Sequence, residues 1–396
     1  MTSQILRAWW FHRQGLDGSL AGASAGEVLS RAGWARSVGG SCPYTTLFAR
    51  AGIGKDAAEK AHASMEIYEL SSARGCTYVL PASDFALGLK LGQSAEAGRL
   101  KTAMKLGVTA KEIDKLAAKI LDALDGAVLD PDEIKKAVGG AVRNLGEEGK
   151  KKGLTTTLPT ALGQLQSTGE IRRVPVNGRL DTQRFAYARW ARNPLDKFQL
   201  AEAECYIELA RRYFRWIGPA TMAEFQWFSG LGVKAAKDAV APLGLVAMES
   251  GGERLMFPAD LESLRKFKNP PKPTHALVSS IDSMVLLRRD FRTLLAPGDE
   301  DRKVAAERGL VSLGGVADLP SHPILAGGRI AGLWEFDPDN GTIAWAAFGK
   351  KDKAMEKAVL ETERYVRGEL GDVRSFSLDS AKSRAPRIEA LRRMGG

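Results

Sequence analysis

The sequence has no run of about 18 consecutive apolar residues, the length that a membrane-spanning helix needs. Its first residues, MTSQILRAWWFHRQGLDG, also lack the apolar core and the small-residue cleavage site of a secretory signal peptide. We therefore expect a cytoplasmic protein that does not associate with a membrane.

Cysteine and histidine are scarce. The three cysteines lie far apart without a CxxC pair, which excludes a disulfide framework and a zinc finger and fits a reducing compartment. None of the four histidines has another histidine four residues away, the spacing that places two metal ligands on one face of a helix. The sequence therefore predicts no histidine-built metal site.

Positive charge exceeds negative charge. The chain has 57 lysines and arginines against 47 acidic residues, a formal net charge of +10. A basic balance favours a polyanionic partner, because cations that neutralise phosphates release the counterions condensed on a nucleic acid. Net charge alone also fits a soluble protein without such a partner. The interpretation therefore depends on where the charges lie.

A unit of three helices followed by a β-hairpin recurs along the chain. Apolar residues at helical spacing, capping residues and glycine stops define the helices. Turn signals such as Asn177-Gly178 and Gly251-Gly252 define the hairpins. Three helices and a hairpin make a winged-helix unit. We predict an α+β protein with tandem winged-helix units at residues 1–107, 108–193 and 194–270.

The last segment, residues 271–396, has a different pattern. Alternating apolar runs on either side of Asn340-Gly341 give the strongest hairpin signal in the chain. A helix is expected from Lys353 to about Glu369, and the basic tail from Ser380 onward is expected to be partly mobile. We predict a strand-containing C-terminal region.

Basic residues concentrate in the second unit. Lys150, Lys151 and Lys152 stand just before its third helix. Arginines decorate the hairpin that follows: Arg172, Arg173, Arg179, Arg184 and Arg189. In a winged helix the third helix and the wing face the same duplex, so this placement favours DNA as the partner. The alternative is a solvated charged face.

Five segments occur in an order and at a spacing that resemble a known family. They are CPYTTLFAR (42–50), ARGCTYVLPASDF (73–85), LARRYFRWIGPATMAEFQWFSGL (209–231), SSIDSMVLLRRDFR (279–292) and HPILAGGRIAGLWEF (322–336). With these segments the chain resembles the AlkZ/YcaQ-like winged-helix DNA glycosylases over nearly its whole length. The resemblance implies tandem winged helices around a concave, DNA-sized channel, excision of alkylated and cross-linked bases, and no metal or organic cofactor.

The glycosylases of this family carry a Gln-x-Gln or Gln-x-Asp pair shortly before their Pro-Tyr-like segment. Such groups orient the attacking water, and a carboxylate also stabilises the cationic sugar that forms as the N-glycosidic bond breaks. Aligned on Pro43-Tyr44 and Arg50 without gaps, the pair falls on Arg36 and Val38. Arg36 accepts no hydrogen bond and its charge opposes a cationic sugar, while Val38 is inert.

The double glycine Gly39-Gly40 beside this pair has two interpretations. Residues without a side chain let the backbone approach a ligand closely, or they form a turn between helices. Arg36 likewise either holds a DNA phosphate or is a structural or surface arginine. In the DNA-binding interpretation, Arg36, the three lysines and the hairpin arginines line the concave face.

Three functions remain open. The first is a monomeric DNA-binding protein of this family that acts on damaged bases in duplex DNA. The second is a non-catalytic DNA-binding or regulatory protein that retains only the scaffold. The third is an enzyme with a relocated acid, for which the candidates are Asp17, Glu69, Asp84 and Asp282. Asp282 is slightly favoured because it lies in the family-like SSIDSMVL segment, and its alternative role is an ion pair with a neighbouring arginine.

Overall fold

The computed structural model describes residues 2–306 and 309–395. Its first segment contains four helices, one more than a winged-helix unit needs, followed by the expected hairpin, and one additional short strand lies between the second and third helices. The elements are α1 (Ser3–Arg13), α2 (Ala25–Ala32), β1 (Ala35–Arg36), α3 (Cys42–Ala51), α4 (Lys55–Ala63), β2 (Ile67–Ser71) and β3 (Thr77–Pro81). Strand β3 pairs with both β1 and β2, so the unpredicted strand that carries Arg36 is joined to the hairpin.

A long helix that the sequence did not predict leads into the second segment. The elements are α5 (Phe85–Met104), α6 (Ala110–Ala123), α7 (Pro131–Val138), α8 (Gly146–Lys151), α9 (Leu158–Ser167), β4 (Ile171–Pro175) and β5 (Phe185–Arg189). Asp130 and Glu133 form a reciprocal capping box that starts α7. The loop 176–184 is longer than the two-residue turn indicated by Asn177-Gly178, because strand pairing stops at Pro175 and Phe185.

The third segment repeats the order of helices followed by a hairpin. Its elements are α10 (Glu202–Ile217), β6 (Ala220–Thr221), α11 (Met222–Ser229), α12 (Val233–Val240), β7 (Val246–Ala247), β8 (Arg254–Met256) and α13 (Pro258–Lys266). Thr221 and Glu224 form a capping box at the start of α11. Strand β8 lies between β6 and β7.

The C-terminal segment is built around a four-stranded sheet in the order β14-β13-β12-β9. Its elements are β9 (His275–Leu277), α14 (Ser283–Leu286), β10 (Lys303–Ala306), β11 (Gly309–Ser312), β12 (His322–Ala326), β13 (Arg329–Asp337), β14 (Thr342–Ala347), α15 (Lys353–Tyr365), a π-helical turn (Val366–Leu370) and α16 (Ala381–Gly395). The turn at Asn340-Gly341 joins β13 to β14, as predicted.

The basic tail is an ordered helix, so the expectation of a partly mobile tail was wrong. Helix α16 packs on β13 and β14. Its Arg384 is fully buried, donates hydrogen bonds to the carbonyls of Phe336 and Val373, and forms an ion pair with Asp372 at 2.7 Å. The charged composition that suggested mobility therefore serves internal contacts.

Apolar side chains gather in several cores. One core contains only residues between Leu100 and Tyr187 and belongs to the second segment. The others combine distant parts of the chain; for example, Tyr78 packs with Phe214 and Phe228. Every named strand pairing in residues 2–306 and 309–395 is antiparallel. No helix in these ranges is both long and apolar enough to span a membrane.

Candidate functional site

Arg36 and Val38 lie on the short strand β1 and its continuation. The main-chain N–H of Ser37 donates to the carbonyl of Thr77 at 3.0 Å, so pairing extends one residue past Arg36. The Arg36 guanidinium donates to the same carbonyl at 2.7 Å and lies 5.3 Å from the centre of the Tyr78 ring. Arg36 is therefore held against β3.

The alternation of side chains along a strand separates Arg36 from the acid that contacts this segment. Arg36 lies on the same face as Tyr78, its partner in register. Ser37 points to the other face, where its hydroxyl donates to Oε2 of Glu69 at 2.5 Å. Glu69 is thus on the face of the sheet opposite to Arg36.

The Gly39-Gly40 turn is required by the packing of the chain itself. Gly39 has φ of +69°, a left-handed conformation that glycine adopts without strain. A Cβ atom on Gly40 would lie only 2.2 Å from the carbonyl oxygen of Ser375. These contacts favour the interpretation of the double glycine as a packed turn over close approach to a ligand.

The β4–β5 loop and the chain after α15 both reach this turn. The carbonyl of Val38 accepts hydrogen bonds from Nε2 of Gln183 and from the main-chain N–H of Ser377, each at 3.2 Å. The Gln183 side chain lies across Gly39, where an added Cβ would approach its Cγ to 2.4 Å. A carboxamide from a distant loop therefore stands beside Val38.

An open cleft of about 590 Å³ adjoins the turn, and Gln183 and three arginines line it. Arg179 is already engaged, since Asp181 accepts two hydrogen bonds from its guanidinium at 2.7 and 2.6 Å. Arg184 is exposed and Arg374 is half-buried. Neither of these two guanidinium groups has a hydrogen-bond or ion-pair partner within residues 2–306 and 309–395. The cleft thus presents two free cations.

Two further hairpin arginines link β4 to the first segment. Arg172 donates to the hydroxyl of Tyr68 at 3.0 Å. Arg173 donates to Oε1 of Gln166 at 2.8 Å and lies 3.5 Å from a carboxylate oxygen of Glu69. The last, Arg189, lies 3.5 Å from Asp125. Of the five hairpin arginines, Arg184 is the one whose side chain the structure leaves unengaged in the described part of the chain.

The three lysines predicted to contact DNA are exposed and lie at the C-terminal end of α8. Lys151 pairs with Glu148 at 2.7 Å, and Lys150 lies 3.9 Å from Glu147. These ion pairs are exposed, so they contribute little stability and are easily exchanged. Lys152 has no ion-pair partner in the described ranges.

Two of the four candidate acids are already engaged by partners within the fold. Asp17 lies 2.6 Å from Nδ1 of His12, after α1. Asp84 is buried and accepts hydrogen bonds from the Trp34 indole at 2.8 Å and from Arg212 at 3.0 Å. Both carboxylates therefore serve as hydrogen-bond acceptors within the fold.

Asp282, the acid favoured from the sequence, forms a buried ion pair with Arg50. It also accepts hydrogen bonds from the hydroxyl of Thr46 and from the main-chain N–H of Met284, where it caps α14. This geometry matches the structural alternative that the sequence had left open.

Glu69 is the candidate acid with one oxygen atom that is not hydrogen-bonded. Among the described residues its Oε1 atom accepts no hydrogen bond, although Nη1 of Arg173 lies 3.5 Å from it. Burial raises the pKa of Glu69, and the charge of Arg173 and the hydrogen bond from Ser37 oppose that rise. A cavity of about 20 Å³, the size of about one water molecule, borders Glu69, Glu96 and Gln166. No cluster of three potential metal ligands occurs in the described ranges.

The family model described as "DNA glycosylase AlkZ-like" matches residues 39–374. The chain belongs to this family. The resemblance inferred from the sequence is therefore confirmed, and it supports a DNA-repair, glycosylase-like function. The matched span starts at Gly39, so Arg36 and Val38 lie just before it.

A solved structure shows the same fold as this AlkZ-like protein. Streptomyces sahachiroi DNA glycosylase AlkZ superimposes with a TM-score of 0.70 and 19% sequence identity, over 93% of this chain and 97% of that chain. No curated protein matches the sequence.

Proposed function

We propose that this AlkZ-like protein binds duplex DNA as a cytoplasmic monomer, with the cleft beside the Gly39-Gly40 turn as a contact site. The observation that carries the proposal is the convergence of Arg184 and Arg374 in that cleft. The two arginines come from distant parts of the chain, and neither has a partner in the described ranges. Free guanidinium groups in an open cleft are suited to bidentate contacts with phosphate.

The repeated order of helices and hairpins supports a tandem winged-helix arrangement. In this arrangement the units occupy residues 1–107, 108–193 and 194–270, and residues 271–396 follow as the C-terminal region. Helix α9 and the β4–β5 hairpin of the second unit then face the duplex, with the lysines of α8 near the same surface.

The geometry favours binding over excision of simple N-alkylated purines. Arg36 and Val38 occupy the place of the family pair, and neither side chain orients water. Glu69 is buried on the opposite face of the sheet. The protein in this proposal keeps the scaffold and the cationic surface while the water-orienting pair is lost.

The binding proposal is tested with an Arg184→Gln/Arg374→Gln double variant. Duplex affinity is measured by fluorescence anisotropy over a range of salt concentrations. We expect weaker binding and a salt slope lower by up to about one unit for each lost phosphate contact.

The matched control is Arg265→Gln/Arg364→Gln, which removes two exposed arginines outside the cleft. Since the net charge changes equally, a specific cleft contact predicts a smaller effect in the control. Equal slopes for the double variant and the unmodified protein would overturn the assignment of the cleft.

A second candidate function is excision with Gln183 as the water-orienting group. Because Nε2 of Gln183 donates to the Val38 carbonyl, its Oε1 remains available to accept a hydrogen bond from water. A carboxamide delivered by the β4–β5 loop then replaces the one missing at Val38.

Base release from alkylated duplex DNA distinguishes the two candidates. Excision predicts turnover by the unmodified protein and a loss of about 10²–10⁴-fold in Gln183→Ala. Turnover that survives in Gln183→Ala but not in Glu69→Gln would instead identify Glu69 as the relocated acid. An absence of turnover favours the binding protein.

A further inference from the structure

A cavity of about 430 Å³ lies between α1, the proline-rich segment after α13, and the turn from β12 to β13. Its walls include the apolar side chains of Ala8, Phe11, Phe267 and Pro273. The volume is in the range of small-molecule sites. None of the residues proposed above for DNA contact lines it, and of the four candidate acids only Asp17 does.

Two arginines give one side of the cavity a positive charge that is only partly compensated. Arg7 is buried and donates to the carbonyl of Leu295 at 3.1 Å. The guanidinium group of Arg329 has no hydrogen-bond or ion-pair partner within residues 2–306 and 309–395. Burial and the charge of Arg329 lower the pKa of Arg7, and Asp299 offsets this only in part. The Asp299 carboxylate already pairs with Arg302 at 2.6 Å.

The same cavity contains an unsatisfied acceptor. Oδ1 of Asn269 is buried and has no hydrogen-bond partner among the residues that the structure describes. An unpaired buried carbonyl oxygen costs free energy that a ligand N–H or O–H group would recover. At the rim, the hydrogen bond with Asp17 holds the His12 ring beside Phe267, at 5.6 Å between ring centres. The cavity therefore has a cationic side, an acceptor and a partly aromatic wall.

We propose that this cavity binds a small, flat organic anion, held at its oxyanion by Arg7 and Arg329 and at a donor group by Asn269. Guanidinium groups bind carboxylate and phosphate oxygens with similar geometry. Aromatic carboxylates and nucleoside monophosphates share this chemistry, so each is tested with its neutral counterpart.

The test is isothermal titration of the full chain, without DNA, with 4-aminobenzoate, 4-aminobenzamide, 5′-AMP and adenosine. We expect either 4-aminobenzoate or 5′-AMP to bind saturably. Its neutral counterpart is expected to bind at least about tenfold more weakly, because hydrogen bonds to charged groups are stronger than those between neutral groups. The pair that shows this difference identifies the source of the oxyanion. No saturable binding of either anion would overturn the proposal.

Variants connect the binding to the named residues. Arg329→Gln, at a half-buried position, is expected to weaken anion binding by about tenfold or more, whereas Arg364→Gln on α15 leaves it unchanged. Asn269→Ala is expected to remove the preference for the anion with a donor group over one without it, such as 4-aminobenzoate over benzoate. Thermal unfolding verifies that each variant is folded. Equal anion affinity in Arg329→Gln and the unmodified protein would refute the site, whatever the outcome for DNA.

Discussion

Asp282 accepts a hydrogen bond from each terminal nitrogen of Arg50, both at 2.8 Å, and neither side chain is accessible to solvent. The pair joins α3 to the start of α14. Hydrogen bonds from Thr46 and Met284 occupy the remaining acceptor positions of the carboxylate. Loss of activity in an Asp282 variant would therefore reflect a loss of stability and not the removal of a catalytic group.

We expect Asp282→Asn to destabilise the protein by about 3–5 kcal/mol, because Arg50 would keep a buried charge without its counter-ion. Arg50→Met combined with Asp282→Leu removes both charges and is expected to cost less than the single change. Urea unfolding at neutral pH measures both. A single variant within about 1 kcal/mol of the unmodified protein would contradict the role of the pair.

Gly40→Ala is expected to destabilise the protein by at least about 1–3 kcal/mol, because the new Cβ would meet the Ser375 carbonyl, which is backbone and moves little. Gly140→Ala is the matched control, since a Cβ there meets no atom within 4 Å. Thermal unfolding compares the two variants. Equal stability would show that the turn and the C-terminal segment do not pack as described.

The change Arg36→Gln/Val38→Gln restores the family pair and is expected to leave the fold intact, since both side chains are partly exposed. We expect little excision of simple N-alkylated purines by the unmodified protein. For the double variant, the largest increase in the rate of base release that a water-orienting group would supply is about 10²–10⁴-fold over the unmodified protein. Base release is the measurement, with Arg36→Met/Val38→Leu as a control without carboxamides. Robust turnover by the unmodified protein would contradict this expectation.

Among the lysines of α8, Lys152→Gln is expected to weaken duplex binding more than Lys151→Gln, because Lys151 already pairs with Glu148. Replacing Lys150, Lys151 and Lys152 together should lower the salt slope by up to about one unit for each lost contact. Anisotropy titrations at several salt concentrations measure the slope. If the slope of the triple variant is unchanged, the lysines form only a solvated surface.

Acid is expected to destabilise the protein through His322. Its Nδ1 accepts a hydrogen bond from the N–H of Ser280, and burial, followed by the charges of Arg384 and Arg387, lowers the pKa of His322 to about 3. As the pH falls below about 6.5, His322 binds a proton in the unfolded chain but stays neutral in the folded chain. Stability from this group is complete above that pH and falls by about 1.4 kcal/mol per pH unit toward pH 3.

His322→Asn tests this expectation because the amide oxygen keeps an acceptor for Ser280. We expect lower stability at pH 7 but a smaller loss between pH 7 and pH 5, measured by urea unfolding. An unchanged pH dependence would mean that other groups control the acid transition.

Local chemistry explains what the sequence predicted well. A capping box such as Thr221 with Glu224 involves residues close together in the sequence, and so does a tight turn such as Asn340-Gly341. The residue types at these positions therefore suffice to predict a helix start and a hairpin. Helix α5 was missed because its apolar side chains serve more than one neighbour and leave no clear single stripe. The ordered tail was missed because the partners of Arg384 lie in other elements.

The candidate site could be predicted only in part for the same reason. The position of Arg36 and Val38 followed from the family-like segments. Arg179 was predicted to contact DNA, although its ion-pair partner Asp181 stands only two residues away in the sequence. The convergence of Gln183, Arg184 and Arg374 beside Gly39-Gly40 is a tertiary event without a local signal.

One core unites the two ends of the chain, since Trp9, Trp10 and Phe11 of α1 pack in the same cluster as Ile388 and Leu391 of α16. During synthesis on a ribosome, α1 emerges well before α16, so this core cannot be complete until the residues between them have followed. Meanwhile its tryptophans are open to chaperones and to unwanted association. The second segment, whose core is its own, is free to fold while translation continues.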